Sequence, residues 1–507
     1  MGLGLAWVSA ALLLALGCGS DTTGDEGAGG AGSSFAGDGD APSGGGGTPG
    51  GGDGDGGGGD VGGDGDGTGG GDGDGDGSGG GGSGDGDGDG PAVVGPGTIV
   101  AEPQDDAAYV FDQAQLRTYE IRVANDDLNF LNANPSAEVY VPATFHVDGS
   151  SYPIGVRYKG SIGAFLAPCG SSNVDNPGPK VGKCSIKTKF NFNNPGGRFR
   201  GLKKLNFHSM NQDPSLMRDR LAYAMFRQFG QAAPRAVHAR LFINGELEGL
   251  FVVVEQVDGR FTRSRFTEGG EGNLYKEIWP IHDDPQAYID ALESNQDEMP
   301  TADKVLAFKD AINAGTPQME AWLDRQVTLD HIAADRVMIH DDGPLHWWCG
   351  PGGQGNNPPP DGNHNYYWYE ARTADRLWLI PWDLDNAFNQ LGLIHINVDW
   401  RATAACVCSG NGGGIYAQKP ASCDTMTGRW GADWGADYSR SVDAFIAGPF
   451  AKQNVDGLLD AWESQISSAV SQAAGVHGAI SHAGWQAELS SLRSLADAAR
   501  ANRGFDY

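Results

Sequence analysis

Two carboxylates, Asp383 and Asp385, stand two positions apart directly after the apolar run Leu377–Pro381, in the segment LWLIPWDLDN. Alternate residues of an extended chain point to the same side, so the two side chains could converge on one point. Carboxylates held together repel each other unless one is protonated or a cation lies between them. Oxygen ligands with room for water suit Mg²⁺ or Mn²⁺. The pattern therefore predicts either a divalent-cation site or a turn in which the Asp side chains cap backbone amides.

A second acidic segment, HDDG at 340–343, ends a predicted helix over 328–340, and Asn365 lies on the loop that enters a predicted hairpin. Acidic side chains at the C-terminus of a helix are unfavourable, so another group should compensate them. Phosphoryl transfer uses one Asp to orient the acceptor hydroxyl, and an Asn and a second Asp to hold the metal. Together with the two strand-end carboxylates, these segments favour a phosphoryl-transfer site.

A nucleotide also requires positive charge near its phosphates. Lys187 and Lys189 project from one face of the predicted strand SIKTKFNFN, and Glu255 ends a strand after three valines. A Lys that is fixed by a buried Glu is how kinases direct an ammonium group at phosphate oxygens, although these lysines could also form a solvated strand face. Further basic candidates are Arg157, Lys159 and Lys276. The sequence contains no GxxxxGK[ST] segment, which excludes a P-loop enzyme.

The elements that must position these residues follow from hydrophobic periodicity and turn residues. Strands are predicted at 117–124, 137–160 and 185–193, and hairpins at 240–257, around Asn244-Gly245, and at 364–386. Helices are predicted over 213–230, with Asp213 as N-cap and Gly230 after the last turn, over 328–340, and from about residue 440 onward. Strands first and helices later predict an α+β domain with a strand-rich N-terminal part.

Six segments follow one another in the order found in the spore coat protein H (CotH) kinase family, which this chain resembles over about residues 115–500. They are RYKGS, KTKFNFN, LNFHSMNQDPSLMRDRLAYAMFRQFG, APRAVHARLFINGELEGLFVVVEQVD, GNLYK and NYYWYEARTADRLWLIPWDLDNAF. The resemblance implies an atypical, two-lobed protein-kinase-like domain over 96–507. It also implies a kinase that uses ATP and Mg²⁺ (or Mn²⁺) to phosphorylate Ser or Thr residues of secreted or surface proteins.

The resemblance also implies a role for each candidate residue. By position, Asp342 is the catalytic carboxylate, Asn365 and Asp383 are metal ligands with Asp385 beside them, Glu255 with Lys187 or Lys189 positions phosphate, and Arg157 and Lys276 are further nucleotide contacts. Two departures from the family pattern matter. His340-Asp341-Asp342 replaces the usual Asn-x-Asp, which leaves Asp341 as an alternative to Asp342, and a segment over 344–364 separates this motif from Asn365.

Two other functions fit the same residues. A non-catalytic surface adhesin on the same scaffold would use its tryptophans, at positions 347, 348, 368, 378 and 400, to stack on sugars or a partner protein, unless they are core residues. A metal-dependent hydrolase would use His340, Asp342, His364 and Asp383 to bind zinc or manganese. The kinase interpretation requires Asp342 and Asp383 to meet in one cleft.

The N-terminal part of the chain reads as an export signal followed by a tether. Residues 1–18 contain a short apolar run that ends in Ala-Leu-Gly-Cys, similar to a lipobox, which predicts lipidation of Cys18 and attachment to a bacterial, outer, membrane; the alternative is an ordinary cleaved signal and secretion. Residues 19–95 are mostly Gly and Asp, so we expect a disordered tether. Membrane contact is expected only through this anchor.

Charge and cysteine count narrow the partners and the compartment. Sixteen of the 65 acidic residues and none of the 35 basic ones lie in 19–90, so the net charge of −30 falls to −14 for the remainder. This balance argues against nucleic acid as a partner. Without Cys18 six cysteines remain, an even number that predicts disulfides in an exported chain, with Cys169 and Cys184 as the first expected pair.

Overall fold

The computed structural model describes residues 98–160, 169–170, 178–296, 300–340, 342–348, 362–388, 400–401, 406–408 and 418–505. The predicted signal at 1–18, Cys18 and the predicted tether at 19–95 lie outside the described residues. The same holds for Asp341, the alternative to Asp342.

Seven strands close into a barrel in the order β1-β2-β3-β4-β5-β7-β6. They are β1 (Arg117–Val123), β2 (Val141–Val147), β3 (Ser150–Lys159), β4 (Ser185–Lys189), β5 (Lys204–His208), β6 (Ala236–Ile243) and β7 (Glu246–Val254). Neighbouring strands are antiparallel, except that β1 closes the barrel against β6 in parallel. The predicted strands are confirmed, as is the Asn244-Gly245 hairpin, whose two turn residues both have positive φ.

The two faces of the barrel have different chemistry. Its interior is an apolar core in which Ile121, Phe145, Ile186, Phe207 and Phe251 are fully buried. Residues paired across strands share a face, and the residues in register between interior positions on β3, β4 and β5 are Arg157, Lys187 and Asn206. The outside of the barrel therefore carries a buried row of polar and basic side chains.

Two small sheets and ten helices make up the rest of the described chain. The sheets are β11-β10-β8, from β8 (Asn273–Lys276), β10 (Tyr366–Glu370) and β11 (Leu377–Pro381), and β12-β9, from β9 (Trp347–Trp348) and β12 (Gln418–Lys419). The helices are α1 (Asn125–Ala133), α2 (Arg218–Gln228), α3 (Gly259–Arg265), α4 (Pro285–Asp290), α5 (Asp303–Ala314), α6 (Thr316–Glu320), α7 (Arg325–Val337), α8 (Thr425–Ala447), α9 (Lys452–Ala473) and α10 (His482–Ala501). The second predicted hairpin, β10–β11, and the α+β class are confirmed. The kinase-like, two-lobed arrangement stays a prediction.

Helix α2 begins later than its sequence predicts. Asp213, the expected N-cap, accepts hydrogen bonds from the backbone of Ser215 and Arg218, but the helix starts at Arg218. Leu216 has a φ of 60°, so the chain turns between the cap and the first helical residue. The apolar stripe is as expected, with Met217 and Leu221 fully buried.

The disulfide prediction for Cys169 and Cys184 is confirmed. Cys406 and Cys423 form a second disulfide, and Cys408 is disulfide-bonded as well. No helix within the described ranges is both long and apolar enough to cross a membrane.

Candidate active site

Helix α2 holds the acidic loop that follows β11. The backbone N–H of Asp383 donates to the hydroxyl oxygen of Tyr223 at 3.0 Å, and that of Leu384 donates to Oδ1 of Asp219 at 3.2 Å. Asp219 and Tyr223 are one helical turn apart, so one face of α2 fixes two consecutive amides. Asp383 has a φ of 50°, a left-handed conformation that is uncommon outside glycine and that recurs at functional sites.

Asp342 and Asn365 are in direct contact across the intervening segment. Nδ2 of Asn365 donates to Oδ2 of Asp342 at 2.9 Å and to its main-chain oxygen at 3.0 Å. Nε1 of Trp348 donates to the other carboxylate oxygen at 2.7 Å. The main-chain N–H of Asn365 donates to Oε1 of Glu277 at 3.1 Å. These bonds fix the Asp342 carboxylate in one orientation.

His340 connects the two acidic segments. Its Nδ1 lies 2.8 Å from Oδ1 of Asp335, and its Nε2 lies 3.2 Å from the main-chain oxygen of Asp383. Both partners are acceptors, so the ring donates from both nitrogens and is protonated. Burial opposes that charge, but the hydrogen bond and attraction to Asp335 outweigh it and raise the pKa of His340. A buried, charged His340 thus ties the Asp383 loop to the end of α7.

The carboxylates of this region repel one another. Burial and the negative charges of Asp383, Asp219, Asp213 and Asp342 raise the pKa of Asp385 well above its ordinary range. Burial also raises the pKa of Asp342, although His364 and His340 oppose the shift. A cation among these groups would relieve the repulsion.

The donor set fits Mg²⁺. Oδ1 of Asn386, beside Asp385, is buried and has no hydrogen-bond partner within the described part of the chain. Mg²⁺ in phosphate-transfer sites is held by one or two carboxylates together with substrate phosphates and water. No group of three His, Cys, Asp or Glu residues among those described is arranged as a complete metal cage. Asp383, Asp385 and Asn365 would therefore hold the ion together with a phosphate.

A basic chain of contacts links the barrel to this loop. Nζ of Lys159 lies 3.2 Å from Nε2 of His208, whose Nδ1 lies 3.3 Å from Oδ2 of Asp219. The same ammonium group lies 5.9 Å from the centre of the Trp382 ring. Lys159 is therefore placed between the barrel and the residue that precedes Asp383.

The other basic candidates lie at different distances from the loop. Lys187 is fully buried on the outer face of the barrel, in register with Arg157, whose guanidinium pairs with Glu138. The ammonium group of Lys189 lies 5.7 Å from the Tyr140 ring centre. Lys276 ends β8, in register with Tyr367, and the Tyr367 ring meets Trp382 edge-on at 5.6 Å.

The predicted pairing of Glu255 with a lysine is wrong. Glu255 is fully buried and accepts from three guanidinium groups, those of Arg235 and Arg265, each at 2.6 Å, and of Arg260 at 3.0 Å. Burial alone would raise the pKa of Glu255, but the arginines lower it to about 2. Neither Lys187 nor Lys189 is an ionic partner of Glu255, because its two oxygens are already occupied by arginines from β6 and α3.

Sequence reasoning missed the residues that position the loop. They are His208, Asp219, Tyr223 and Asp335. One signal was available: Asp219 and Tyr223 place two polar groups one turn apart on a helix with an apolar stripe, which is costly unless both have partners. The hydrogen bond of His208 could not be anticipated, since it joins the barrel to α2.

Comparison with known proteins gives a consistent picture. The family model described as CotH kinase protein matches residues 180–502. Inner spore coat protein H of Bacillus subtilis (strain 168) is 25% identical over 286 residues, which are 54% of this chain and 69% of that protein. Inner spore coat protein H-like protein of the same organism is 44% identical over 55 residues, 11% of this chain and 18% of that protein. The matched range contains Asp342, Asn365 and Asp383.

Proposed function

The chain belongs to the CotH kinase protein family, and we propose that it is an extracytoplasmic protein kinase that transfers the γ-phosphate of ATP to Ser or Thr residues of secreted or surface proteins, with Mg²⁺. One observation carries the proposal. Asp342, bonded to Asn365, and Asp383 come from separate segments and meet at His340. That is the arrangement of base, amide and metal-binding carboxylate that phosphoryl transfer requires.

Each residue then has a role in transfer. Asp342 takes the proton of the acceptor hydroxyl as its oxygen bonds to the γ-phosphorus, the bond to the β–γ bridging oxygen breaks, and ADP leaves. The raised pKa of Asp342 suits it to accept that proton. Bound Mg²⁺, held by Asp383, Asp385 and Asn365, supplies charge neutralisation at the phosphates. Lys159 and Lys187, on the adjoining face of the barrel, are the cations we expect nearest the phosphates.

The two alternatives find less support. Of the tryptophans that an adhesin would expose, those at 347, 368, 378 and 400 are buried. Trp348 is half-buried and donates to Asp342. His340, the first ligand of the hydrolase hypothesis, uses both ring nitrogens for protein contacts. Neither arrangement favours sugar stacking or zinc binding.

The proposed location is outside the cytoplasm, with lipidated Cys18 and the segment 19–95 as anchor and tether. The disulfides Cys169–Cys184 and Cys406–Cys423 support export, because such bonds persist in oxidising compartments. The protein substrates would be surface or envelope proteins within reach of the tether.

The test is transfer of labelled γ-phosphate from Mg·ATP to co-purified envelope proteins. Wild type should label Ser or Thr residues, and Asp342→Asn and Asp383→Ala should not. Trp347→Phe, a change in a buried tryptophan near the site, is the matched control and should retain labelling. Equal labelling by wild type and Asp383→Ala would rule out this site.

A further inference from the structure

A separate cavity of about 300 Å³ lies where the barrel meets the C-terminal helices. Most of its wall is apolar. The lining residues are Lys183, Met210, Asn211, Asp213, Pro214, Leu216, Leu250, Val470, Ala473, His477, Gly478, Ala479 and Ile480. Neither Asp342, Asn365 nor Asp383 lines it, so it is distinct from the site of phosphate transfer.

One buried amine faces this apolar wall. Lys183 is only 7% exposed, and among the described residues its ammonium group makes a single hydrogen bond, to the main-chain oxygen of Leu250 at 3.0 Å. An ammonium group has three protons to donate. Burial lowers the pKa of Lys183 to about 8, against the attraction of Glu248. The group is thus charged near neutral pH and short of acceptors.

The acids around the cavity are already matched by other groups. Glu248 accepts from Lys180 at 2.6 Å and from Nε2 of His477 at 3.0 Å. Asp213 accepts from the backbone N–H groups of Ser215 and Arg218 and lies 3.3 Å from Nε of Arg218. Lys183 is therefore the group in the cavity wall with unused capacity for an anion.

We propose that this cavity binds a small carboxylic acid with an apolar body, whose carboxylate accepts from Lys183 and whose hydrocarbon part packs against Leu216, Val470 and Ile480. A volume of 300 Å³ is at the lower end of the range for ligand pockets, which favours a single ring or a short chain. An anion is preferred because a neutral ligand would leave the buried charge without a counter-ion. The binding does not depend on phosphate transfer.

The experiment is calorimetric titration of the full chain with phenylacetate and with 2-phenylethanol, which has the same ring but no charge. Phenylacetate should bind at least about tenfold more tightly, as expected for a hydrogen bond to a charged group. Lys183→Met should abolish this preference, and Lys452→Met, an equal charge change at an exposed lysine outside the cavity, should keep it.

A second variant covers failure of Lys183→Met to fold. Ala473→Leu fills the cavity and leaves Lys183 in place, so it should weaken phenylacetate by about tenfold or more. The proposal is overturned if phenylacetate does not bind at millimolar concentration, if acid and alcohol bind equally, or if a folded Lys183→Met or Ala473→Leu binds phenylacetate as wild type does.

Discussion

Nδ2 of Asn365 lies 2.9 Å from Oδ2 of Asp342, although the two residues are 23 positions apart and the segment between them is far longer than a short catalytic loop. The contact is reinforced by a second bond from the same amide to the main-chain oxygen of Asp342. The insertion therefore does not separate the proposed base from the proposed metal-binding amide.

This contact leads to a prediction for Asp342→Asn. The variant cannot accept a proton, so phosphate transfer should fall by about 10²- to 10⁴-fold, the usual contribution of a general base. Single-turnover transfer from Mg·ATP measures it. Asp335→Asn, a buried carboxylate on the same helix segment that contacts His340 rather than Asn365, should fall less; an equal fall in both variants would contradict a specific role for Asp342.

His340 should act as a positioning residue. In His340→Gln one of its two hydrogen bonds is lost, the Asp383 loop is held less firmly, and the dissociation constant of Mg·ATP should rise about tenfold. Calorimetry measures that constant. His331→Gln is the matched control, because His331 is also buried on this part of the chain but makes no hydrogen bond among the described residues. A similar loss in His331→Gln would indicate only a packing effect.

Glu255 should matter for stability more than for nucleotide binding. Glu255→Gln leaves three buried or half-buried guanidinium groups without their shared counter-ion, so unfolding free energy should fall by about 3–5 kcal/mol. Denaturant unfolding measures the change. Glu120→Gln, which breaks the exposed pair with Arg122, should have no measurable effect. Unchanged stability in Glu255→Gln, with loss of ATP binding, would restore the phosphate-positioning role.

Stability should depend on pH through Glu370. Burial raises the pKa of this carboxyl to about 7, against hydrogen bonds from Tyr275 and Asn273. The folded state therefore binds a proton that the unfolded state has lost above its ordinary pKa of 4.5, and the contribution of Glu370 falls as pH rises from about 4.5 through 7. Between pH 5 and 8, wild type should lose about 1–3 kcal/mol relative to Glu370→Gln.

Unfolding curves of both proteins at the two pH values test this. Glu246→Gln, at an exposed position on the first turn residue of β7, should show no such pH-dependent difference from wild type. A constant difference between wild type and Glu370→Gln at pH 5 and 8 would mean that Glu370 does not titrate in this range.

Local patterns in the sequence were enough to predict much of the fold. Alternation and turn residues predicted the strands around Asn244-Gly245 and both strands of β10–β11, because those signals act over a few residues. Closure of the barrel by parallel pairing of β1 with β6 has no local signal. The start of α2 was placed too early because Asp213 caps a turn rather than the helix itself.

The site was predictable where one segment carried the chemistry and unpredictable where packing chose the partner. Asp342, Asn365 and Asp383 were found from residue types and order. The partners of Glu255 could not be, because Arg235 comes from β6 and Arg265 from α3, and only the tertiary fold brings them to one carboxylate. The contact from Lys159 to Asp219 through His208 arises in the same way.

The central claim is that Asp383 and its neighbours bind a divalent ion that in turn binds ATP. Calorimetric titration with ATP, with and without Mg²⁺, tests it most directly in wild type, Asp383→Asn and Asp342→Asn. We predict binding that requires Mg²⁺, a loss of at least about tenfold in Asp383→Asn, and a change of no more than about twofold in Asp342→Asn. ATP binding that is independent of Mg²⁺, or equal in wild type and Asp383→Asn, would contradict the account.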